Sequence, residues 1–587
     1  MRKNTIKTLA IGLVFSSLLG LNNANACTNF LVTKGASENG STFVTYAADS
    51  HTLYGELYYR EAAKFPKGSK LKVIDWDSGK PLGEIDQAEH TYSVVGNMNE
   101  HQLVIAETTY GGVHELEVSE GIMDYGSLIY ITLQRAKDAR EAIKTMAELV
   151  EKYGYCSEGE SFSIADPNEV WIMEMIGKGT QVFDTVKGKV SKNKNWKPGA
   201  VWVARRIPDG YVCAHANQAR ITTFPMEKAS KTSISSKHLN KIFNKDIDVV
   251  YAEDVVSFAR MKGLYKGTDE NFSFSDTYNP LTFSGARGCE ARVYAFFNRI
   301  ASGMKKYEEY AMGHDLKNRM PLWIKPDRPL SVHDMMDLMR DHYEGTSMDM
   351  TKDVGAGPFQ CPYRWRPMNF KVDGVEYVHE RATSTQQTGF SFVAQCRSWL
   401  PDKVGGILWF GVDDTYTTCY CPMFCGITEI PEYYREGNGN MIEYSETSAF
   451  WLFNQVSNFA YSRYNSMIAD IQKVQIQLES AFIDDVEVLS SRCNIKEPEM
   501  VEGMPIVNVV NEFSNRCANE VFSKWKNLSR FLLVKYVDGN IKKEQDGNFE
   551  TTGTRPGQCV FPEQPEYPEW WYRFIIEHHG DVLKVKN

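Results

Sequence analysis

The sequence predicts an α+β protein whose C-terminal part is mainly helical. β-rich runs separated by turn residues fill residues 27–110, and stretches with apolar residues at helical spacing follow from residue 128 onward. The chain has 587 residues, of which 42% are hydrophobic and 12% aromatic, so it can bury a large core. Neither an internal repeat nor a Gly/Ser linker divides it. We therefore expect one large elaborated domain rather than the several that length alone suggests.

The N-terminus has the pattern of a secretory signal peptide. Basic residues precede a short apolar run at 8–21, and Ala24 and Ala26 supply the small residues that signal peptidase requires before a cleavage site. No later stretch is apolar over the length of a membrane helix. The sequence therefore predicts that residues 1–26 are removed and that the mature protein is exported, either to the periplasm or as a secreted protein, without a membrane span.

Charge and cysteine content limit the classes of partner and cofactor. The net charge of −10 becomes −13 without the leader, which holds three basic residues and no acidic one. An acidic chain without a basic patch is a poor match for nucleic acid, and nothing in the sequence decides against a homo-oligomer. Twelve cysteines in an exported chain suggest disulfides. The cluster Cys419, Cys421 and Cys425 lacks a nearby histidine, which favours a disulfide or buried thiols over a metal site.

The first two elements predict a β-hairpin. Residues 27–33 and 41–47 alternate as strands with apolar residues on both faces, which is typical of a sheet covered on both sides. A glycine-containing turn at 35–40 joins them. This hairpin would bring Asp49 back beside Cys27.

The later elements follow from periodicity and turn residues. The stretch 268–380 has few clear periods apart from its helix. The predicted elements are a helix at 128–151 ended by Gly154, hairpins at 162–174 and 201–214, helices at 252–262 and 332–343, strands within 389–412, a mostly helical stretch at 445–480 and an extended tail after 552.

Cys27 stands directly after the predicted cleavage site, and three interpretations are open. It could carry a lipid, form a disulfide, or act as an N-terminal nucleophile. Ala24 and Asn25 fit a lipoprotein signal poorly. As first residue, Cys27 would carry a thiol, whose ordinary pKa is about 8.5, and an α-amine, whose ordinary pKa is about 7.7–8.0. The amine can take the thiol proton, so that attack on a carbonyl needs no catalytic histidine.

A set of motifs, in chain order, resembles a known enzyme family. The chain is similar to the N-terminal-nucleophile cysteine dipeptidases, the group of bacterial dipeptidase A and the secernins, over roughly residues 27–480. Penicillin V acylases and bile salt hydrolases are more distant relatives. The motifs are Cys27–Ser37, Asp49-Ser50, Gly96–Glu100, Glu107–Gly112, Leu133–Ala136, Glu158–Phe162, Trp202–Asp209, His215–Ile221, Ser384–Gly389 and Leu408–Gly411.

The resemblance implies a fold and a domain organisation. The expected fold is the four-layer αββα sandwich of N-terminal-nucleophile hydrolases. Residues 27–440 would form this hydrolase core with insertions. Residues 441–587 would form a helical C-terminal elaboration and an extended tail packed on the core.

The resemblance also implies roles for individual residues. Cys27 would be the nucleophile and, through its amine, the acid and base. Asp49 matches the acid that contacts the α-amine. Asn99 matches an asparagine near the oxyanion, and Asn217 matches a second asparagine that places the substrate or holds the oxyanion. Amide N–H groups suit this task because they stabilise a developing alkoxide without changing protonation state.

Two expectations depart from the family pattern or leave alternatives open. Tyr46 stands where the relatives usually carry an arginine, so the positive charge near the thiol would come from Arg220, Arg287 or Arg292, among which the sequence does not choose. Glu107 and Arg220 are candidates to bind the charged ends of a substrate, with a structural ion pair as the alternative.

Together these observations predict an exported cysteine peptidase that hydrolyses dipeptides or short peptides through an acyl-enzyme on Cys27. The reaction requires no metal or organic cofactor. One alternative is an amidase acting on N-acyl amino acids or bile-type conjugates. The other is a lipid-anchored binding protein without enzymatic activity.

Overall fold

The computed structural model describes residues 27–186, 189–194 and 196–586, so the predicted leader at 1–26 lies outside the described residues. Two large sheets carry most of the buried apolar residues. The first has seven strands. Their spatial order is Trp323–Ile324, Val212–His215, Asn29–Val32, Thr42–Asp49, Thr388–Cys396, Ile407–Val412 and Cys421–Phe424.

The second sheet has nine strands. Their spatial order is Ser233–Ser235, Val249–Tyr251, Ala200–Arg206, Val170–Gly177, Gly159–Ala165, Val104–Gly111, Met98–Asn99, Val94–Val95 and Tyr59–Arg60. The first two of these strands run parallel to each other, and the other neighbours in both sheets pair antiparallel. Antiparallel pairing allows the short connections that the turn residues of the sequence predict.

The two sheets contact each other along the strand Thr42–Asp49. This strand packs against Val104–Gly111 and Gly159–Ala165 of the nine-stranded sheet. All eight of its residues are buried. Because both faces of the strand are covered, its polar residues must find partners within the protein, and this is where the polar groups near Cys27 gather.

Helices lie against both sheets. Tyr125–Leu133 and Ala139–Tyr153 pack on the nine-stranded sheet. Helices that pack on the seven-stranded sheet are Ala291–Ile300, Val332–Leu338, Ala449–Ser462, Tyr464–Ser491 and Ile506–Lys535. The prediction of one helix at 128–151 is wrong, because two helices occupy the region. The side chain of Asp138 accepts a hydrogen bond from the Glu141 N–H and so starts the second helix.

Shorter elements complete the described chain. The two-stranded ribbons are Ala63–Lys64 with His90–Thr91, Lys70–Ile74 with Pro81–Asp86, Phe183–Val186 with Lys189–Lys192, Asn369–Val372 with Val375–Val378, Met500–Val501 with Met504–Pro505, and Glu544–Gln545 with Asn548–Phe549. The remaining α-helices are His114–Glu117, Val255–Met261, Phe274–Tyr278, Phe283–Gly285, Glu308–Ala311, Asp402–Gly405 and Glu569–His579.

One of the two hairpins predicted after residue 160 is present and the other is not. Gly159–Ala165 and Val170–Gly177 pair antiparallel, as predicted. Ala200–Arg206 and Val212–His215 belong to different sheets, so the predicted hairpin at 201–214 is wrong. The chain crosses from one sheet to the other at the turn between them. Strands that are apolar on both faces carry no pattern that reveals their pairing partner.

The other helical predictions differ mainly at their ends. Predicted helices at 252–262 and 332–343 are the shorter Val255–Met261 and Val332–Leu338. The helical stretch from 445 continues to Ser491 as two helices that meet at Arg463. The predicted extended tail contains the helix Glu569–His579, and the stretch 268–380 contains a buried helix at Ala291–Ile300 that the sequence did not reveal.

A buried ion pair links the helix Tyr464–Ser491 to the segment that follows the helix Val332–Leu338. Glu479, on the helix Tyr464–Ser491, accepts a hydrogen bond from Arg340 at 3.1 Å and one from the Tyr420 N–H at 2.9 Å. Both charged side chains are almost fully buried. In the described part of the chain no helix is both long and apolar enough to span a membrane.

We predict that Glu479→Gln lowers the free energy of unfolding by about 3–5 kcal/mol, because it leaves the Arg340 guanidinium buried without its counter-charge. Urea denaturation followed by circular dichroism measures this. Glu512→Gln, at an exposed position of the neighbouring long helix, is the matched control and should change stability by less than about 0.5 kcal/mol. Equal stability of the two variants would contradict the assigned role of the pair.

Candidate active site

The predicted hairpin places Cys27 at the centre of the molecule. Asn29–Val32 pairs with Thr42–Asp49, and Thr28 forms a bridge to Ala47. The other edge of Asn29–Val32 pairs with Val212–His215. Cys27 therefore sits where three strands of one sheet face the second sheet, and it is only 3% exposed.

The sulfur of Cys27 contacts a carboxyl group that disfavours its ionised form and two hydrogen-bonding groups that favour it. It lies 3.5 Å from Glu107 Oε1 and 3.6 Å from the hydroxyl of Tyr46, which itself donates to Glu107 Oε1 at 2.6 Å. The backbone N–H of Asp49 also donates to the sulfur. Burial raises the pKa of the Cys27 thiol well above its ordinary value, and the charges of Glu107 and Asp49 raise it further. The thiol is therefore held in its protonated form.

An asparagine and an arginine hold the backbone of Cys27. Its N–H donates to Asn217 Oδ1 at 3.1 Å, and Asn217 in turn donates to the Thr109 carbonyl at 2.6 Å. Arg292 donates to the same Asn217 oxygen at 2.9 Å and to the Cys27 carbonyl at 2.7 Å. Asn217 has a φ of 58°, a left-handed conformation that asparagine tolerates better than most residues. Of the predicted site residues, Asn217 thus orients the nitrogen directly.

Of the three arginines that could supply positive charge near Cys27 in place of the arginine missing at Tyr46, Arg292 is the one that approaches Cys27. The other two candidates face different partners, since Arg220 pairs with Glu290 at 2.8 Å and Arg287 pairs with Glu380. Arg292 is fully buried on the helix Ala291–Ile300. It acts on the backbone and on Asn217 rather than on the sulfur.

Asp49 lies beside Cys27, as predicted, but its carboxylate faces another way. Its oxygens bind Arg381 at 2.9 Å and Thr388 at 2.7 Å, whereas the Cys27 nitrogen binds Asn217. Burial raises the pKa of Asp49 to about 6, against the opposing effect of Arg381. In the structure the Cys27 N–H thus donates to Asn217 and not to Asp49. The predicted contact between Asp49 and a free α-amine stays a prediction.

Asn99 is not positioned as predicted. Its side-chain nitrogen donates to the carbonyls of Leu133 and Ala136, both at 2.7 Å. Its oxygen accepts from the N–H groups of His101 and Leu103. Both amide hydrogens are thus used to hold a loop, which leaves neither for an oxyanion.

The two predicted substrate-binding residues have different surroundings. Glu107 contacts the sulfur and belongs to the site. Arg220 is 3% exposed and, besides Glu290, donates to the carbonyls of Ala214, Leu322 and Pro321. The structural ion pair left open for Arg220 is therefore what the structure contains, and a substrate-binding role for it is not supported.

No histidine is among the hydrogen-bond partners of Cys27 in the described residues. The nearest in sequence to Asn217, His215, is buried between the hydroxyls of Thr108 at 2.7 Å and Ser163 at 2.8 Å. Burial lowers the pKa of His215 to about 3, so it stays neutral. It is a structural residue, and any base for the thiol has to come from elsewhere.

Sequence reasoning missed two charged residues of the site. Glu160 contacts Glu107 through their carboxyl groups. It occurs within one of the family motifs, but nothing in that motif assigned it a role. Arg381 binds Asp49 from the end of the stretch 268–380, one residue beyond it, where few clear periods occur, so no sequence signal could have linked the two.

The cysteines form no metal site in the described residues. All twelve cysteines are free thiols, and no group of three or more potential ligands among the described side chains could hold a metal ion. Cys419, Cys421 and Cys425 are all buried. Of the alternatives left open for this cluster, the structure contains buried thiols.

Comparison with known proteins places the chain among peptidases. Residues 60–477, well over half of the chain, match the model of peptidase family C69. This segment contains Asn99, Glu107, Asn217 and Arg292 and begins after Cys27.

Several curated bacterial proteins are similar along most of their length. The chain is 23% identical to a protein named probable dipeptidase from Latilactobacillus sakei, with 75% of this chain and 82% of that protein covered. It is 22% identical to dipeptidase A from Lactobacillus helveticus, with coverage of 78% and 84%. A probable dipeptidase from Salmonella dublin is also 22% identical, with coverage of 70% and 83%.

We predict that Glu107→Gln lowers the pKa of the Cys27 thiol in the uncleaved chain, because it removes the carboxyl group that contacts the sulfur. The measurement is the rate of alkylation of Cys27 by iodoacetamide as a function of pH, read from the Cys27 peptide by mass spectrometry. The pH profile of the variant should move to lower pH. Glu61→Gln, at an exposed position, should leave it unchanged, and an unshifted profile for Glu107→Gln would contradict the assigned cause.

Proposed function

This chain belongs to peptidase family C69, and from that membership and the geometry around Cys27 we propose that it is an exported cysteine dipeptidase. In this proposal residues 1–26 are removed, Cys27 becomes the N-terminal residue, and dipeptides or short peptides are cleaved through an acyl-enzyme on its sulfur. The dipeptidase names of the curated relatives support the substrate class. The two facing sheets with helices packed on each support the four-layer αββα sandwich as the fold.

One observation carries the proposal. The nitrogen and the sulfur of the same residue are held by separate sets of buried polar groups. Asn217 and Arg292 hold the backbone side of Cys27, while Glu107 and Tyr46 hold the sulfur. A structural cysteine at the start of a strand would not need either set.

The thiol pKa explains why the free amine is needed. In the uncleaved chain the Cys27 nitrogen is an amide, which cannot accept a proton, and the raised pKa of the thiol keeps the sulfur unreactive. Cleavage after Ala26 converts that amide into an amine whose ordinary pKa is about 7.7–8.0. The amine then sits on the same Cα as the sulfur and can take its proton directly or through one water.

The reaction would proceed in two halves. The amine takes the thiol proton, the thiolate attacks the substrate carbonyl carbon, and a tetrahedral intermediate forms. The ammonium gives its proton to the leaving nitrogen as the C–N bond breaks, which leaves a thioester on Cys27. Water then attacks the thioester with the amine as base, and the acid product and the free thiol are released.

Asn217, Arg292 and Asp49 would position the amine. Asn217 Oδ1 already accepts one hydrogen from the Cys27 nitrogen at 3.1 Å. The α-ammonium formed during catalysis has further hydrogens, and the neighbouring carboxylate of Asp49 is the group of the family pattern that would accept one. Arg292 donates to the Asn217 oxygen and to the Cys27 carbonyl. The backbone of Cys27 therefore cannot rotate and carry the amine away from the substrate.

We predict that the active protein begins with an unmodified Cys27, which mass spectrometry of the mature N-terminus determines. Cys27→Ser should lower kcat/KM on dipeptides by at least a thousandfold, because a serine hydroxyl is a much weaker nucleophile than a thiol near neutral pH. Cys419→Ser, in the buried thiol cluster, is the matched control and should keep its kcat/KM. A diacylated N-terminus, or activity that survives the loss of Cys27, would exclude the proposal.

We also predict the shape of the acid limb of the pH profile. Below about pH 8 the α-amine gains a proton and log kcat/KM falls with a slope of one. Below about pH 6 Asp49 gains a proton as well, so the slope should become two. In Asp49→Asn the activity is lower throughout and the slope should remain one. A wild-type profile with a single slope down to pH 5 would show that the ionisation of Asp49 does not matter for catalysis.

A further inference from the structure

A groove at one edge of the nine-stranded sheet is lined by lysines. It lies beside the edge strand Ser233–Ser235 and has a volume of about 610 Å³, which is within the range typical of ligand sites. Its lining includes three exposed lysines, Lys228, Lys231 and Lys241. Residues 226–245 hold five lysines and one acidic residue, whereas the whole chain has a net charge of −10. The groove is therefore a local region of positive charge.

The residues around this groove do not neutralise its lysines. In the described part of the chain none of the three lysines forms an ion pair. The acidic residue of the lining, Glu227, is bound instead by His238 and by the hydroxyl of Ser235 at 3.0 Å. Ile234 and Ile247 also line the groove and are buried, so part of its surface is apolar. A partner that carries both carboxylates and apolar side chains would match this surface.

A segment near the C-terminus repeats a triplet that begins with Pro-Glu. Residues 562–570 consist of Pro-Glu-Gln, Pro-Glu-Tyr and Pro-Glu-Trp. A spacing of three matches the polyproline II helix, which has three residues per turn and rises about 3.1 Å per residue. Pro568 has backbone angles of this conformation, with φ −63° and ψ 148°. In such a helix Glu563, Glu566 and Glu569 lie along one edge at intervals of about 9 Å.

The structure covers the proline edge of this Pro-Glu segment and exposes its other two edges. The three prolines are partly buried, and the six residues that follow them in the triplets are exposed. The backbone of Glu563 pairs with Ile541, and the ring centroid of Tyr567 lies 5.6 Å from that of Phe359. Glu563 and Glu566 form no ion pair with any described residue. The segment is thus fixed to its own chain while its carboxylates stay exposed.

The exposed edges of the Pro-Glu segment match both properties of the groove. One edge carries the glutamates, which complement the lysines in charge. The other edge carries Gln564, Tyr567 and Trp570, and the two aromatic side chains are 42% and 43% exposed. A polyproline II segment is already extended before it binds, so docking costs it little conformational entropy. Charge, apolar surface and backbone form all favour binding of this segment in the groove.

We propose that the Pro-Glu segment of one molecule binds the lysine-lined groove of a second copy of this chain. Its glutamates pair with the lysines, and Tyr567 and Trp570 cover the apolar part of the groove. A second copy is the occupant, because Ile541 and Phe359 already hold the segment on its own chain with its charged edge exposed. The segment lies beyond residues 60–477, which match the family model. The inference does not rest on the proposed function, since neither region contains a residue of the candidate active site.

Sedimentation velocity of the mature protein tests whether copies associate. We expect a dimer or a larger assembly at micromolar concentration in about 0.1 M NaCl, and dissociation in about 1 M NaCl, because salt screens exposed charge pairs. Protein that stays monomeric at about 100 µM in low salt would overturn the proposal.

Charge reversal tests whether the two regions meet. One variant reverses the segment with Glu563→Lys and Glu566→Lys. Another reverses the groove with Lys228→Glu and Lys231→Glu. Each should raise the dissociation constant at least about tenfold, because like charges then face each other. A chain with all four substitutions should associate again, since opposite charges are restored. Glu577→Lys, at an exposed position of the same C-terminal region, is the matched control and should associate like the wild type.

A cross-link identifies the contact and the copy that supplies it. Carbodiimide joins a carboxylate directly to a lysine amine, and mass spectrometry identifies the joined peptides. In a mixture of isotopically labelled and unlabelled protein, we expect cross-links between Glu566 and a groove lysine that combine both isotopes. Cross-links within one isotope alone would place the segment in the groove of its own chain and would overturn the assignment of a second copy.

The remaining outcomes also decide the matter. Weaker association in the groove variant but not in the segment variant would mean that the groove meets another acidic surface. No recovery in the chain with all four substitutions would mean the same, and either result overturns the proposal. Circular dichroism verifies that the variants fold. Dipeptide cleavage should be unchanged in every variant, so a failure of this inference and a failure of the proposed function are read from separate measurements.

Discussion

The burial of Cys27 beside the carboxyl groups of Glu107 and Asp49 is the constraint on which the chemistry of this site depends. A thiol removed from water beside Glu107 and Asp49 has a raised pKa and does not ionise by itself. In the proposed mechanism the amine of the same residue takes this proton, which requires no displacement of the groups packed around the sulfur. In that proposal, the same burial that raises the thiol pKa makes the free amine necessary as the base.

The strand Thr42–Asp49 connects this site to the fold. It lies in the middle of the seven-stranded sheet and is also the strand that contacts the other sheet. From this strand the Tyr46 hydroxyl and the Asp49 N–H contact the Cys27 sulfur, and Ala47 is bridged to Thr28 next to Cys27. Since every residue of the strand is buried, packing on both sides sets its geometry, and the positions of the groups that contact Cys27 are set with it.

How much of the fold and of the candidate site can be predicted from the sequence depends on whether the residues that form a feature are close together in the chain. Alternation and a glycine turn were enough to predict the hairpin and to bring Asp49 beside Cys27. Arg292, Arg381 and Glu160 come from strands, loops and helices far away in sequence, and no local pattern indicates where a buried long side chain will reach. Asn99 illustrates the opposite error. Its motif suggested a catalytic amide, but an amide in a tight turn satisfies nearby backbone groups first.

Asn217 combines a left-handed backbone with a side chain that holds the Cys27 nitrogen, and this combination leaves the position very little freedom to drift in evolution. Glycine would relieve the backbone strain at a φ of 58° but would remove the oxygen. Aspartate would keep the shape and tolerate the backbone, yet a full negative charge at about 3 Å would stabilise the ammonium and push the basicity of the amine above neutrality. In the proposed mechanism a neutral amide at this position keeps the terminal amine both oriented and partly deprotonated at physiological pH.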